Sequence, residues 1–233
     1  MTIGRSIEKA VARLAADGFV AYPTETVWGL GACADRPVAI ERLRAWKGRR
    51  GDSPLAVLVA SVEAAIDLGC SFDPTAMRLA RSFWPGPLML IVPCARSWAP
   101  GVARTDGALG LRCSSHALAR SLVEATEAAG LGPLTTTSLN RSGSPPTTRS
   151  AEARALAAAR PGRDLESPFL LAAGEVDAGG AVPSSIVDCT GVEPRILRVG
   201  ALDRAVLEAA WMHPACRRPE ATPSDRIEGE RIP

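Results

Sequence analysis

The sequence predicts an α/β fold: a single domain with a mixed β-sheet flanked by helices. Three observations support this. Short apolar runs alternate with amphipathic helical stretches along most of the 233 residues. The alternation is not strict, because the late runs "SSIVDCT" and "RILRVG" follow each other with only a turn between them. Parallel neighbours need a longer crossover, so some strands must be antiparallel. No linker divides the chain, so residues 1–212 read as one domain and the polar stretch 213–233 as a flexible tail.

Taken in order, Ile7, Val11 and Leu14 fall at helical spacing and predict an amphipathic helix over 6–17 that ends at Gly18. "FVAY" (19–22) is a strand. Pro37 opens a second helix, with Ile40, Leu43 and Trp46 on one face and Gly48 at its end. "PLAVLVA" (54–60) and "LMLIVP" (88–93) are continuous apolar runs and predict strands covered on both faces. Between them, Ser61 caps a short helix ending at Gly69, and a longer helix runs from about Asp73 to Trp84. "ALGLRC" (108–113) is a strand, followed by a helix over about 116–129. "GPLTTTS" (132–138) begins as a strand and passes into a Pro/Gly-rich loop, after which 151–160 is helical. Residues 184–190 and 195–200 are the last strands, and 203–212 is a closing helix.

Composition narrows the function. A net charge of +2 gives no global attraction for a polyanion, so any basic site must be local. Six scattered cysteines without a CxxC pair, and only two histidines, argue against a zinc site. They suit buried thiols in a reducing cytoplasm. The N-terminal segment is an amphipathic helix rather than a signal peptide, and no run approaches about 20 uninterrupted apolar residues, so no membrane span is expected.

Four polar segments interrupt the apolar pattern. In "YPTETVWGLG" (22–31), Thr24, Glu25 and Thr26 offer hydroxyls and a carboxylate, while Gly29 and Gly31 permit close backbone approach. The same residues also suit a turn whose threonines cap local backbone. "RLRAWKGRR" (42–50) places five cations in nine residues. Arg42 and Arg44 fit a solvated face, whereas Lys47, Arg49 and Arg50 can converge on a phosphate chain or an RNA backbone. "TTTSLNRSG" (135–143) carries hydroxyls and Asn140, as a ligand contact or as an Asx turn. "PSSIVDCTGVEPRILRVG" (183–200) places Ser184 at a strand start and Arg198 near the end of the next strand, where pairing would bring both to one surface. Neither GxGxxG nor GxxxxGK[ST] occurs, and the histidines do not fit a Ser/His/Asp set. Hydroxyls, one amide and several cations suit positioning and electrostatic stabilisation of a phosphoryl-type reaction.

Together the four segments resemble the YrdC family, the threonylcarbamoyl-AMP synthases. "PTETVWGLG" (23–31) is similar to the family's PTETVYGLG, and Lys47-Gly48-Arg49 to its KxR, followed by "SPLAVLV". "FWPGPLMLIVP" (83–93), Leu111-Arg112, "SLNRSG" (138–143) with "PPTT", "PSSIVD" and "ILRVG" follow in family order. The resemblance covers residues of about 6–205 and implies the single-domain form of a YrdC-like fold, with a twisted mixed sheet around a basic cavity. It implies synthesis of threonylcarbamoyl-AMP from L-threonine, bicarbonate and ATP, with Mg²⁺ accompanying the ATP. The product would feed a separate tRNA threonylcarbamoyl transferase complex acting at position 37, with a weak RNA contact as a further expectation.

By motif position, the resemblance implies threonine contacts at Thr26, Arg112, Ser138 and Ser184. It implies ATP contacts at Lys47, Arg49, Ser53, Asn140, Thr148 and Arg198, with Lys47 and Arg49 serving catalysis. No protein metal ligand is implied. The chain departs from the family pattern at Leu139, Pro183, Ser53 and Val199. These departures, and the basic cluster, motivate two other readings: a paralogue making a different carbamoyl-adenylate, and an RNA-binding module without catalysis.

Overall fold

A computed structural model describes residues 2–48, 53–159, 166–172, 177–180 and 182–212. Arg49, Arg50, Arg160, His213, Cys216 and the segment 213–233 fall outside the described residues.

The elements run α1 (Ile3–Ala15), β1 (Val20–Tyr22), β2 (Gly29–Gly31), α2 (Pro37–Lys47), β3 (Ala56–Leu58), α3 (Val62–Asp67) and α4 (Pro74–Phe83). They continue with β4 (Leu88–Pro93), β5 (Ala108–Arg112), α5 (Ala117–Ala128), β6 (Leu134–Ser138), α6 (Ser150–Ala158), β7 (Phe169–Leu170), β8 (Ser185–Asp188), β9 (Arg195–Arg198) and α7 (Arg204–Met212). Nine strands form one sheet in the order β7-β1-β2-β6-β3-β5-β4-β8-β9. The directions are mixed as expected: β1/β7, β3/β5 and β4/β8 are parallel, while β1/β2, β2/β6, β3/β6, β4/β5 and β8/β9 are antiparallel.

Most helix ends follow the predicted chemistry. Pro37 stands in the first turn of α2, and Gly48 closes that helix in the left-handed region at φ 64°. Ser61 and Asp73 cap α3 and α4 by accepting from the amides of Ala64 and Ala76. α1 differs: it stops at Ala15, and Asp17 rather than Gly18 takes the positive φ of 56°. Gly18 serves close approach instead, because a Cβ there would stand 2.7 Å from the Arg13 carbonyl oxygen.

β2 and β7 were not expected. "GLG" is too short and too glycine-rich to signal a strand, yet it pairs with β1 on one side and β6 on the other. Its glycines serve packing. A Cβ at Gly29 would stand 2.8 Å from the Tyr22 ring, and one at Gly31 would collide with the Thr135 carbonyl.

Period-two alternation sorts the sheet into two faces. Ala21, Leu30, Val57, Leu88, Leu90, Val92, Leu109, Leu111 and Val187 point into the main core. There they meet Ile40, Leu43 and Trp46 of α2, Leu79 of α4 and Leu207 of α7. On the opposite face, Val20, Tyr22, Leu58 and Leu134 pack against Ala10 and Leu14 of α1 and Ala119, Leu122 and Val123 of α5. Those two helices cover only one part of that face. On β4 the expected two-sided burial fails, because Met89 and Ile91 are only half-buried while Leu88, Leu90 and Val92 are buried. The described cysteines are all buried, as small apolar residues would be. No helix among the described residues is long and apolar enough to cross a membrane.

Candidate functional site

The part of the sheet face that α1 and α5 leave uncovered is the floor of a cavity of about 880 Å³. Ala56, Met89, Ile91, Gly110 and Ile186 form an apolar floor. Around it stand Lys47, Arg104, Arg112 and Arg198, together with hydroxyls and the amide of Asn140. No carboxylate and no histidine is among the described lining residues. The cavity is therefore basic although the chain is nearly neutral.

Thr26, Lys47, Ser53, Arg112, Ser138, Asn140, Ser184 and Arg198 all line this cavity. Segments separated by up to about 170 residues in sequence thus meet, as strand order dictates. Thr148 does not line it; its carbonyl accepts from Ala178 N. Arg49 lies outside the described residues.

The threonine pair divides its work. Thr24 Oγ1 donates to the Val27 carbonyl at 2.6 Å and accepts from the Thr26 amide at 3.2 Å, so Thr24 is the turn-capping residue. With its proton on that carbonyl, Thr24 accepts from Thr26 Oγ1 at 3.0 Å. The Thr26 oxygen then keeps its lone pairs for the cavity. Trp28 is fully buried in the core, and its backbone amide donates to the Thr147 carbonyl.

At the C-terminus of α2, the Lys47 ammonium donates to Ser138 O at 2.5 Å, Asn140 O at 3.1 Å and Asn140 Oδ1 at 3.0 Å. Ser138 Oγ donates to the same Asn140 Oδ1 at 2.6 Å, and Asn140 Nδ2 donates to Ser144 O. Ser142 N returns to the Lys47 carbonyl, and the Arg141 guanidinium lies 4.1 Å above the Trp46 ring. The 138–144 loop is thereby fastened to the end of α2. Leu139 points away from the cavity into the main core, so this departure from the family pattern does not crowd the site. Arg42 and Arg44 remain partly exposed, as a solvated face would, and also touch local backbone: Arg42 donates to the Ala16 and Asp17 carbonyls, and Arg44 to Ser53 O at 3.0 Å.

The opposite wall is built around Arg112, the last residue of β5. Its side chain is 9% exposed and forms an ion pair with Glu25, which is 15% exposed. One guanidinium nitrogen donates to Glu25 Oε1, the other to Ser184 Oγ. Ser114 Oγ donates to the second Glu25 oxygen. Arg198 Nε donates to the Ser184 carbonyl at 2.9 Å, so the β8/β9 pairing does bring Ser184 and Arg198 to one surface. Burial holds the Arg198 pKa below its ordinary value, and the nearby Arg112 charge adds to this. On the rim, Arg104 pairs with Asp188 at 2.8 Å and with Asp106. Full burial pushes Tyr22 up to about 12, and its hydroxyl donates to Thr136 Oγ1 beneath the lining.

Sequence reasoning gave no role to Glu25 and did not single out Arg104. A lone carboxylate in a turn carries no period, and "RTDG" reads as an ordinary turn. Only the partners identify them.

Comparison with known proteins agrees with this fold. The Sua5/YciO/YrdC family, described as telomere recombination, matches residues 12–200. A threonylcarbamoyl-AMP synthase of Bacillus subtilis is 34% identical over 207 residues, covering 87% of this chain and 56% of the relative. One of Chromohalobacter salexigens is 37% identical over 150 residues, covering 64% of this chain and 78% of the relative. The crystal structure of P. abyssi Sua5 complexed with L-threonine superposes with a TM-score of 0.74 at 30% identity, over 88% of this chain and 56% of that one. The chain thus spans little more than half the length of the Bacillus and Pyrococcus proteins. The shared architecture and the match across residues 12–200 establish that the chain belongs to the Sua5/YciO/YrdC family.

Proposed function

We propose that this chain is an L-threonylcarbamoyladenylate synthase, a nucleotidyltransferase that converts L-threonine, bicarbonate and ATP to threonylcarbamoyl-AMP, pyrophosphate and water. The observation that carries the proposal is the cavity lining: four cations and several hydroxyls over an apolar floor, with no carboxylate among the described lining residues. Such a wall accepts polyanionic phosphate and a carboxylate together.

In this reading, Arg112 and Ser184 receive the threonine carboxylate, with Thr26 and Ser138 on the same substrate. Lys47 and Arg198 face the phosphates, with Arg49 joining them by motif position, and Ser53 and Asn140 serve the nucleotide. Mg²⁺ enters with ATP as part of the substrate. The threonine nitrogen attacks the carbon of bicarbonate, or of CO₂ derived from it, to give a carbamate, and the bicarbonate hydroxyl leaves as water. A carbamate oxygen then attacks the α-phosphorus, and the bond to the bridging oxygen breaks as pyrophosphate leaves. The cations stabilise the charge that grows on the phosphoryl oxygens, and the walls hold the reactants in line. No lining side chain among the described residues is a good proton acceptor at neutral pH. The amine proton is therefore assigned to the bicarbonate system or to solvent. The product would pass to a tRNA threonylcarbamoyl transferase acting at position 37, and the chain would work in the cytoplasm.

The test is pyrophosphate release with Mg²⁺ and ATP, omitting one co-substrate at a time. Release that requires both L-threonine and bicarbonate is expected. Equal turnover with serine, glycine or carbamoyl phosphate would point instead to a different carbamoyl-adenylate. Salt-sensitive tRNA binding without any ATP binding would replace the enzyme by an RNA-binding module.

A further inference from the structure

We propose that Glu25 is a positioning residue for the threonine end of the cavity and acts through Arg112. The proposal rests on the functional reading above only for its kinetic arm. Glu25 joins three separate parts of the chain. It sits in the β1–β2 turn, accepts from Arg112 at the end of β5, and accepts from Ser114 just beyond that strand. Through Arg112 the chain of contacts reaches Ser184, the residue immediately before β8.

Its two oxygens are both engaged, and it is not among the lining residues. That placement excludes a direct role as proton acceptor for a ligand in the cavity. It also gives the carboxylate a task that an apolar residue could not perform. A guanidinium is planar and offers its donors in a fixed fork. With one terminal nitrogen pinned on Glu25, the other is directed at Ser184. Without that anchor, the Arg112 side chain has rotamers to explore along the cavity wall.

The Glu25 backbone is itself held in place. Gly179 N donates to the Thr24 carbonyl at 2.9 Å. A Cβ at Gly179 would stand only 3.0 Å from Glu25 Cα, and one at Gly180 would stand 3.0 Å from the Glu25 carbonyl oxygen. The 177–180 segment therefore lies directly on the turn, and its two glycines make the contact. A buried ion pair is weak evidence for stability, because apolar residues of similar size often serve as well. What this pair supplies is orientation of a cavity cation.

Two measurements on the full chain test the proposal. In the first, ligand-free wild type, E25Q and E25D are treated with phenylglyoxal, and modification of Arg112 is mapped by mass spectrometry. E25Q should label several-fold faster at Arg112, with E25D in between and Arg120 unchanged in all three. Equal labelling at Arg112 would overturn the proposal, and this arm needs no turnover. In the second, KM is measured for threonine and for ATP separately. E25Q should raise the threonine KM by about 10–100-fold, the size of one lost charged hydrogen bond, and leave the ATP KM within about twofold. An equal rise in both, as from general loosening of the fold, would overturn it. Should E25Q fold poorly, E25D carries the same comparison with a smaller shift. A wild-type chain without turnover would sink the functional reading, while the labelling arm would still decide on Glu25.

Discussion

At the end of β5, Arg112 lies against a carboxylate; at the end of α2, Lys47 lies among carbonyl and amide oxygens. Both side chains are nearly buried and line the same cavity. The Glu25–Arg112 pair has no net charge, so Arg112 offers directed hydrogen bonds with little net field of its own. That suits a substrate end that is itself a zwitterion. Lys47 donates to three neutral oxygens, which orient its ammonium. One cavity thus fixes two cations in two ways, Arg112 through a carboxylate and Lys47 through carbonyl and amide oxygens.

The sharpest way to break this comparison is to remove one partner of the compensated pair. R112M leaves Glu25 buried without its cation, and should cost about 3–5 kcal/mol of stability. Pyrophosphate release should be lost as well. The double variant R112M/E25L removes both charges, and should recover most of the stability and none of the turnover. Urea unfolding beside the turnover assay checks this. A double variant as unstable as R112M would mean that the wall depends on the ion pair for folding rather than for orientation.

On the other wall, K47A removes the cation that ties the 138–144 loop to α2. Turnover should fall by at least about a hundredfold, since charged hydrogen bonds contribute roughly 1.5–3 kcal/mol each. Hydrogen exchange should rise in residues 138–144, which Lys47 ties to α2. Unchanged exchange there would remove the fastening role and leave only the field.

How far these walls could be read beforehand depends on what kind of signal each residue leaves. Helices α2 to α5 were legible because capping residues and apolar spacing are local properties. β4 was found with its bounds, but its second face was misread. Met89 and Ile91 are apolar because they floor a cavity, and sequence does not distinguish that from a core. β2 was missed because its pairing rests on neighbours, β1 and β6, rather than on its own residues. Its glycines read as bare backbone for a ligand, whereas they make room for the Tyr22 ring and the Thr135 carbonyl. At the site, the quoted motifs supplied eight lining residues, whereas Thr148 lies off the cavity and Arg49 outside the described residues. Glu25 was quoted too, but its partner stands 87 positions further along. Contact at that distance belongs to the fold, and no local pattern announces it.

The smallest expected effect asks whether the compensated wall responds to pH. His116 is the N-cap of α5, and its Nδ1 accepts from the Leu118 amide at 3.2 Å. Its own amide donates to Ser114 Oγ, which in turn donates to Glu25. Burial lowers the His116 pKa, and the nearby Glu25 charge opposes this to a lesser degree. The folded state therefore favours neutral imidazole and binds fewer protons than the unfolded chain. The resulting stability is present above the ordinary imidazole value of about 6.5 and is lost as pH falls through it toward the lower folded value. A protonated Nδ1 also cannot accept from Leu118, so the cap itself is lost. Between pH 7.5 and 5.5 the wild type should lose up to about 1 kcal/mol, the usual size of a cap. H116N retains a capping oxygen and does not titrate, so its urea midpoint should stay level across the same interval. If H116N followed the wild-type slope, the pH response would arise elsewhere, and the Glu25 side of the cavity would be as insensitive to protons as the Lys47 side.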